Sequence, residues 1–198
     1  MNAIALLIWV SAFSSFGWGM LRFFRKPSGL TWHTAFVAFL GLIFGVWHFF
    51  AIATSTVGPM QLYFGIVLLS ISTTLFWCTV RACGSRRLTA IFENDAPFHL
   101  VRSGPYWYIR HPFYASYSMF WLAGWIASDS ILALISAGIM LGTYLDAVRK
   151  EERKFASSML ATEYDEYRRH AGLMIPKLHV LQAVAPWPMR CAANRRRV

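Results

Sequence analysis

Charge-poor stretches, each long enough to cross a lipid bilayer, take up most of this chain. Residues 3–24 carry no Asp, Glu, Lys or Arg before Arg22, and 32–53 and 60–80 carry none at all. A longer run, 113–148, is interrupted at 127–130 by Ala-Ser-Asp-Ser. About 20 apolar residues in a helix cross a hydrocarbon layer of roughly 30 Å. With 57% hydrophobic and 14% charged residues, the composition lies outside that of a soluble domain. The pattern predicts an all-α integral membrane protein, one membrane domain over 1–198. Its five transmembrane helices fall at about 3–24, 32–53, 60–80, 113–128 and 130–148, the last two forming a tight hairpin. The first run lacks the basic leader of a signal peptide, so it reads as a retained span.

Lys and Arg collect at the cytoplasmic ends of spans. Arg22, Arg25 and Lys26 follow the first span, Arg81, Arg86 and Arg87 the third, and Arg149 onward the fifth; all 19 basic residues then fall on one side. Residues 54–59 and the turn at Asp129 have none. The N-terminus is therefore expected outside and the C-terminus inside. A net charge of +10, spread over juxtamembrane segments, fits attraction to anionic lipid at about 1 kcal/mol per cation better than nucleic-acid binding. The tail 186–198, with Arg195, Arg196 and Arg197, reads as flexible and lipid-facing. Cys78, Cys83 and Cys191 have neither metal-site nor disulfide spacing. No metal is expected.

Two pieces remain for function, 81–112 and 149–176. The second has Phe155, Met159, Leu160, Tyr164 and Tyr167 at intervals of three to five with charges between them. It predicts a cytoplasmic amphipathic helix over about 149–171, stopped by Gly172 and Pro176. On it Arg149, Glu152 and Arg153 share one side, with Glu151 displaced by about 100°. Taken alone, such a run is a solvated face stabilised by pairs worth tenths of a kcal/mol.

The first piece ends in GPYWYIRHPFY, residues 104–114. Pro105 and Pro112 deny it a continuous helix, and non-helical backbone at membrane depth is tolerated where protein buries it or a cavity uses it. Singly, His111 reads as a helix-start residue and Tyr106, Trp107 and Tyr108 as an interfacial belt. Together they mark one wall of a site.

The order GPYWYIRHPFY, helical hairpin, RKEERKF, EYDEYRRH and MIPKL resembles the isoprenylcysteine carboxyl methyltransferase family and its bacterial relatives, over about 100–176. The resemblance implies an integral-membrane enzyme of the bacterial inner membrane that uses S-adenosylmethionine, with its active site facing the cytoplasm. By the same resemblance Leu100, Val101, Tyr106, His111, Pro112, Phe113, Tyr114 and Glu152 bind the cofactor. Arg149 anchors an anionic group of the second substrate, a role for which neighbouring Arg153 is the alternative. A carboxylate suits the ammonium of the methionine moiety, and aromatics suit a sulfonium or adenine.

Such a reaction needs no catalytic group beyond positioning and desolvation. The expected acceptor is lipidic or amphiphilic, an isoprenylcysteine-like carboxylate first, with a thiol or a lipid amine as alternatives. Ser116 stands where the family has a small glycine, and Leu160-Ala161 where it has Phe-Gly; both bear on the acceptor more than on the fold. A rival reductase resembling the sterol reductases would use NADPH, but the chain has no G-x-G-x-x-G fingerprint. A transporter or non-catalytic subunit would place ionisable residues within spans. Only His48 and Asp146 approach that, and both read as interfacial.

Overall fold

A computed structural model describes residues 2–23, 32–84 and 100–177. The tail 186–198, Arg25, Lys26, Arg86, Arg87 and Cys191 lie outside the described residues. Six α-helices are described: α1 (Asn2–Phe23), α2 (Trp32–Ala53), α3 (Pro59–Cys83), α4 (Pro112–Ser128), α5 (Ile131–Ala156) and α6 (Ala161–His170). A 3-10 turn, Gly104–Trp107, precedes α4. Among the described residues there is no strand, only one bridge between Ile109 and Gly172.

Four helices, α1, α2, α3 and α5, are long and apolar enough to cross a membrane. The protein is an integral membrane protein. α2 presents Phe36, Phe39, Val46 and Phe50 outward, each at least half exposed, which is tolerable in lipid and not in water. α4 has only 17 residues, about 25 Å of helix, and ten of them are buried. It is the inner helix of the bundle, packed closely on α3 and also against α1, α2 and α5.

Small residues let these helices approach, as expected where lipid tails are as apolar as the helices themselves. A Cβ added at Gly65 on α3 would lie 2.8 Å from the Ala127 Cβ on α4. The core between helices is aromatic: Trp9 packs on Phe13 and Phe120 with centroids 5.0 and 5.1 Å apart, and Phe16 on Phe76 at 4.9 Å. The α4–α5 hairpin turns through Asp129, at φ 52°, whose N–H donates to Trp125 O at 2.8 Å. Ser130 then caps α5 by accepting from the Ala133 N–H.

Two elements differ from expectation. His48 is not interfacial but fully buried, with Nε2 2.8 Å from Ser136 Oγ on α5 and its ring against Trp121 on α4. Because the Ser136 hydroxyl already donates to Ala133 O at 2.9 Å, His48 Nε2–H is the donor. In hydrocarbon a hydrogen bond between helices is retained because the alternative is an unpaired polar group.

The second difference is the stretch 149–171, which is two helices rather than one. α5 runs unbroken from the membrane through Ala156, and Ser157 and Ser158 then end it. Ser157 Oγ donates to Arg153 O at 3.1 Å and Ser158 Oγ to Phe155 O at 2.8 Å. These serine-to-backbone bonds compete with helix continuation, and α6 folds back against the end of α5.

The His48 clamp requires Gly124, where a Cβ would fall 2.2 Å from His48 Nδ1. Gly124→Ala is expected to destabilise the detergent-solubilised protein by about 1 to 3 kcal/mol, read as a lowered melting temperature. The same substitution in a His48→Ala background should cost much less.

Candidate functional site

The site forms where the start of α4, the end of α5 and α6 meet. Pro112 begins α4 at a position that needs no N–H, and His111 immediately before it is held at φ −124°, ψ 63°, non-helical as a residue preceding proline prefers. The backbone before it pairs with the segment after α6. Arg110 N–H donates to Gly172 O at 2.8 Å, His111 N–H to Leu173 O at 3.0 Å and Gly172 N–H to Tyr108 O at 2.9 Å. Gly172 is obligatory in this turn, since a Cβ would lie 1.8 Å from Ile175 O.

Glu152, on the last turns of α5, collects the charges. Its carboxylate accepts from Arg110 Nε at 3.0 Å and Nη2 at 3.3 Å, from His111 Nε2 at 2.8 Å and from the Tyr164 hydroxyl. Charge-assisted bonds of this kind are stronger than neutral ones. Arg110 also donates through Nη1 to Arg168 O at 3.2 Å and Ala171 O at 2.8 Å. Lys177 Nζ takes Arg168 O and Arg169 O, each at 2.9 Å. Two cations therefore cap the carbonyl end of α6, where the helix dipole favours them.

Tyr164 stacks on Phe155 at 4.3 Å. The Tyr167 hydroxyl donates to Tyr106 O at 2.6 Å. Leu100 packs against the same tyrosines.

His111 lies between two carboxylates, with Glu152 at Nε2 and Glu151 Oε2 3.6 Å from Nδ1. Burial disfavours its charge, but hydrogen bonding and charge from Glu151 and Glu152 outweigh burial and raise its pKa to about 9. At neutral pH it is an imidazolium holding protons on both nitrogens, with no lone pair to act as a base. Glu151, 31% exposed at its side chain, is the less committed of the two carboxylates.

Of the residues singled out in the sequence, the structure brings His111 and Glu152 into direct contact and sets Tyr114 beside His111 at 6.0 Å between ring centroids. Pro112 is buried at the start of α4. Phe113 turns away into the α3–α4 core, against Phe76 at 5.6 Å. Tyr106 packs in the same cluster, with its hydroxyl 3.5 Å from Cys83 Sγ. Val101 is half-buried, and Arg149 and Arg153 are exposed on α5.

Sequence reasoning gave Arg110 no role in the site and read Tyr164 only as part of a helix face and Gly172 only as a helix stop. The tandem of Arg and His before a proline was the available signal for Arg110. Nothing local indicates that Tyr164 reaches Glu152, since that depends on the break after Ala156.

Beside this cluster an apolar cavity of about 240 Å³ lies among α1, α2, α4 and α5, and Tyr114 belongs to its wall. Residues 60–163 match the model of a family described as phospholipid methyltransferase. The chain belongs to that family. The match runs from the start of α3 into α6, so it carries both His111 and Glu152 and stops before Tyr164.

Membership makes this a membrane methyltransferase fold, of the same kind as the isoprenylcysteine carboxyl methyltransferase resemblance in the sequence. Among curated relatives, the cobalt-zinc-cadmium resistance protein CzcN of Cupriavidus metallidurans is 26% identical over 145 residues, 72% of this chain and 61% of that protein. The aligned part thus spans under two thirds of the relative's length. No solved structure matches.

The pH dependence of stability follows from His111. Its folded pKa lies above the usual 6.5, so its contribution is fully present below about pH 6.5 and is lost as pH rises through about 9. The melting temperature should fall across that window, and His111→Gln should flatten the fall. Gly172→Ala, which opens the bridge to Arg110, should lower the melting temperature at every pH.

Proposed function

We propose that the protein transfers a methyl group from S-adenosylmethionine to an amphiphilic acceptor at the cytoplasmic boundary of a bacterial inner membrane. The observation that carries the proposal is the adjacency, through Tyr114, of a charged cluster around His111 and an apolar cavity between helices. In this reading α4 is a fifth crossing, the N-terminus is outside and α6 is cytoplasmic. The location of all 19 Lys and Arg at one set of span ends supports that orientation.

The donor set fits the cofactor. Glu151 keeps part of its carboxylate open for an ammonium, and the ring of Tyr114 offers a face to a cationic sulfur. Glu152, already accepting from Arg110, His111 and Tyr164, holds these groups in place and so acts on the cofactor through them. S-adenosylmethionine, when bound, supplies a methyl group already activated on a positively charged sulfur. His111 cannot accept a proton in its imidazolium form, so it positions and balances the carboxylates. An acceptor proton must leave to solvent or to a carboxylate. α6 packs over Glu152, whose side chain is 17% exposed, and this partial burial strengthens its contacts with Arg110 and His111.

The name of the Cupriavidus relative ties that protein to metal resistance. Among the described residues no group of three His, Cys, Asp or Glu stands close enough to hold a metal ion, so the proposal rests on the methyl-transfer side.

Titration calorimetry of the purified protein should show S-adenosylmethionine binding with a Kd on the order of 1 μM, about −8 kcal/mol. His111→Ala and Glu151→Gln should each weaken it tenfold or more. Arg149→Ala should leave it intact. Folded protein that binds no S-adenosylmethionine would sink the proposal.

A further inference from the structure

Of the nine tryptophans in the chain, only Trp18 and Trp77 have an arginine four residues later, Arg22 and Arg81. One lies on α1 and the other on α3, yet their rings stack on each other, with centroids 5.4 Å apart and planes 28° from parallel. Gly19 makes the approach possible, since a Cβ there would fall 2.5 Å from Phe76 Cζ. Where α1 and α3 meet at Gly19 and Phe76, the adjacent side chains Trp18 and Trp77 come out on one side.

Residues four apart on a helix share a face and stand about 6 Å apart along its axis. α1 and α3 are the first and third of successive crossings and so run in the same direction. Arg22 and Arg81 therefore stand at one level, a turn beyond the stacked rings. Both arginines are exposed, and Trp18 and Trp77 are 45% and 38% exposed. Neither helix contributes an Asp or Glu to this face. The end of the bundle they mark is the one that carries the His111 site, because Phe76 packs on Phe113 at the start of α4.

Helix C-termini favour cations in any chain, and tryptophan is common at the headgroup level of a membrane. Those tendencies account for each residue singly. They do not account for two lipid-facing rings stacked across a helix pair with a guanidinium one turn above each. Deeper in the bilayer, Leu7 and Tyr63 continue the same two faces and are exposed. The cavity is a separate feature: Gly17 and Met20 of α1 turn to it, and its wall includes none of the four residues.

The geometry points to a seat for one anionic phospholipid on the outer face of α1 and α3. Its phosphate lies between the Arg22 and Arg81 guanidiniums, and its ester region and upper acyl chain rest on the stacked tryptophans. The planar donors of a guanidinium match two phosphate oxygens, and basic pockets between membrane helices suit anionic headgroups. Two cations with no acid beside them favour a lipid of net negative charge over a zwitterionic one. The seat does not rest on the methyl-transfer reading. Its α1 half lies before residue 60, outside the family match.

The test is native mass spectrometry of the full-length protein released from detergent micelles, titrated with phosphatidylglycerol and with phosphatidylcholine of the same acyl chains. One phosphatidylglycerol per chain should be retained, at least about tenfold more tightly than phosphatidylcholine. Arg22→Gln and Arg81→Gln should each weaken it about fivefold, roughly the worth of one cation at an anionic lipid, and together they should remove the preference. Trp77→Leu should weaken both lipids alike, since the rings hold the part the two lipids share. Arg169→Gln, an exposed cation on α6, should change neither.

Equal retention of the two lipids would overturn the proposal. A loss in Arg169→Gln as large as in Arg22→Gln would do the same, reducing the seat to diffuse surface attraction. Displacement of phosphatidylglycerol by millimolar inorganic phosphate would leave an anion site and no lipid seat. A dimer that dissociates in Trp18→Leu and Trp77→Leu would give the stacked rings to a second copy of the chain and overturn it too. Phosphatidylglycerol should raise the melting temperature of the unaltered protein and not that of the double arginine variant. Without lipid the two should melt alike, which separates a lost seat from a lost fold.

Discussion

The ion pair between Arg110 and Glu152 holds the functional end of this protein together. The Arg110 side chain is 9% exposed and that of Glu152 17%, so neither charge could remain there alone. Losing one partner of such a pair typically costs about 3 to 5 kcal/mol, because the other is left buried without compensation. The same guanidinium reaches the terminal carbonyls of α6, so one side chain ties α5, α6 and the entry to α4 to each other. Lysine could not replace it, since a single ammonium lacks the planar fork that serves Glu152 and the helix end together.

His111 depends on that arrangement. Its charge persists in a buried setting because Glu151 and Glu152 flank it, and Glu152 is fixed by Arg110 and Tyr164. A buried imidazolium between two carboxylates is a poor base and a good spacer: it keeps the acids apart and leaves the more exposed Glu151 facing outward. The chemistry supported there is recognition and alignment of charged groups, with the reactivity carried by what binds.

Much of the bundle was legible in the sequence, because runs of apolar residues and their flanking cations report directly on membrane crossing. The 32–53 helix coincides with α2, and the hairpin break at 127–130 with the Asp129 turn. That His111 and Glu152 belong to one cluster was legible through motif resemblance. Less legible were features that arise only when distant segments meet. The break after Ala156 depends on two serines bonding backwards, which competes with helix continuation, and it is this break that lets Tyr164 reach Glu152. His48 looked interfacial by its position along α2, and only the packing of Gly124 against it shows that it is interior. Phe113, adjacent in sequence to site residues, turns into the core because successive residues of a helix point about 100° apart.

The pairing of Arg110 and His111 with Gly172 and Leu173 has a consequence for biosynthesis. The helices of the bundle can enter the membrane in the order in which they are made. The polar cluster is completed only when the segment beyond α6 folds back across more than sixty residues of chain, from Gly172 to Arg110. During translation the protein therefore passes through a stage in which its membrane part is assembled while Glu152 has neither its tyrosine nor a capped α6 above it. A chain stopped before Gly172 would keep its membrane helices and still lack the backbone bridge that holds Arg110 and His111 in the site, so the last step of folding and the completion of the site coincide.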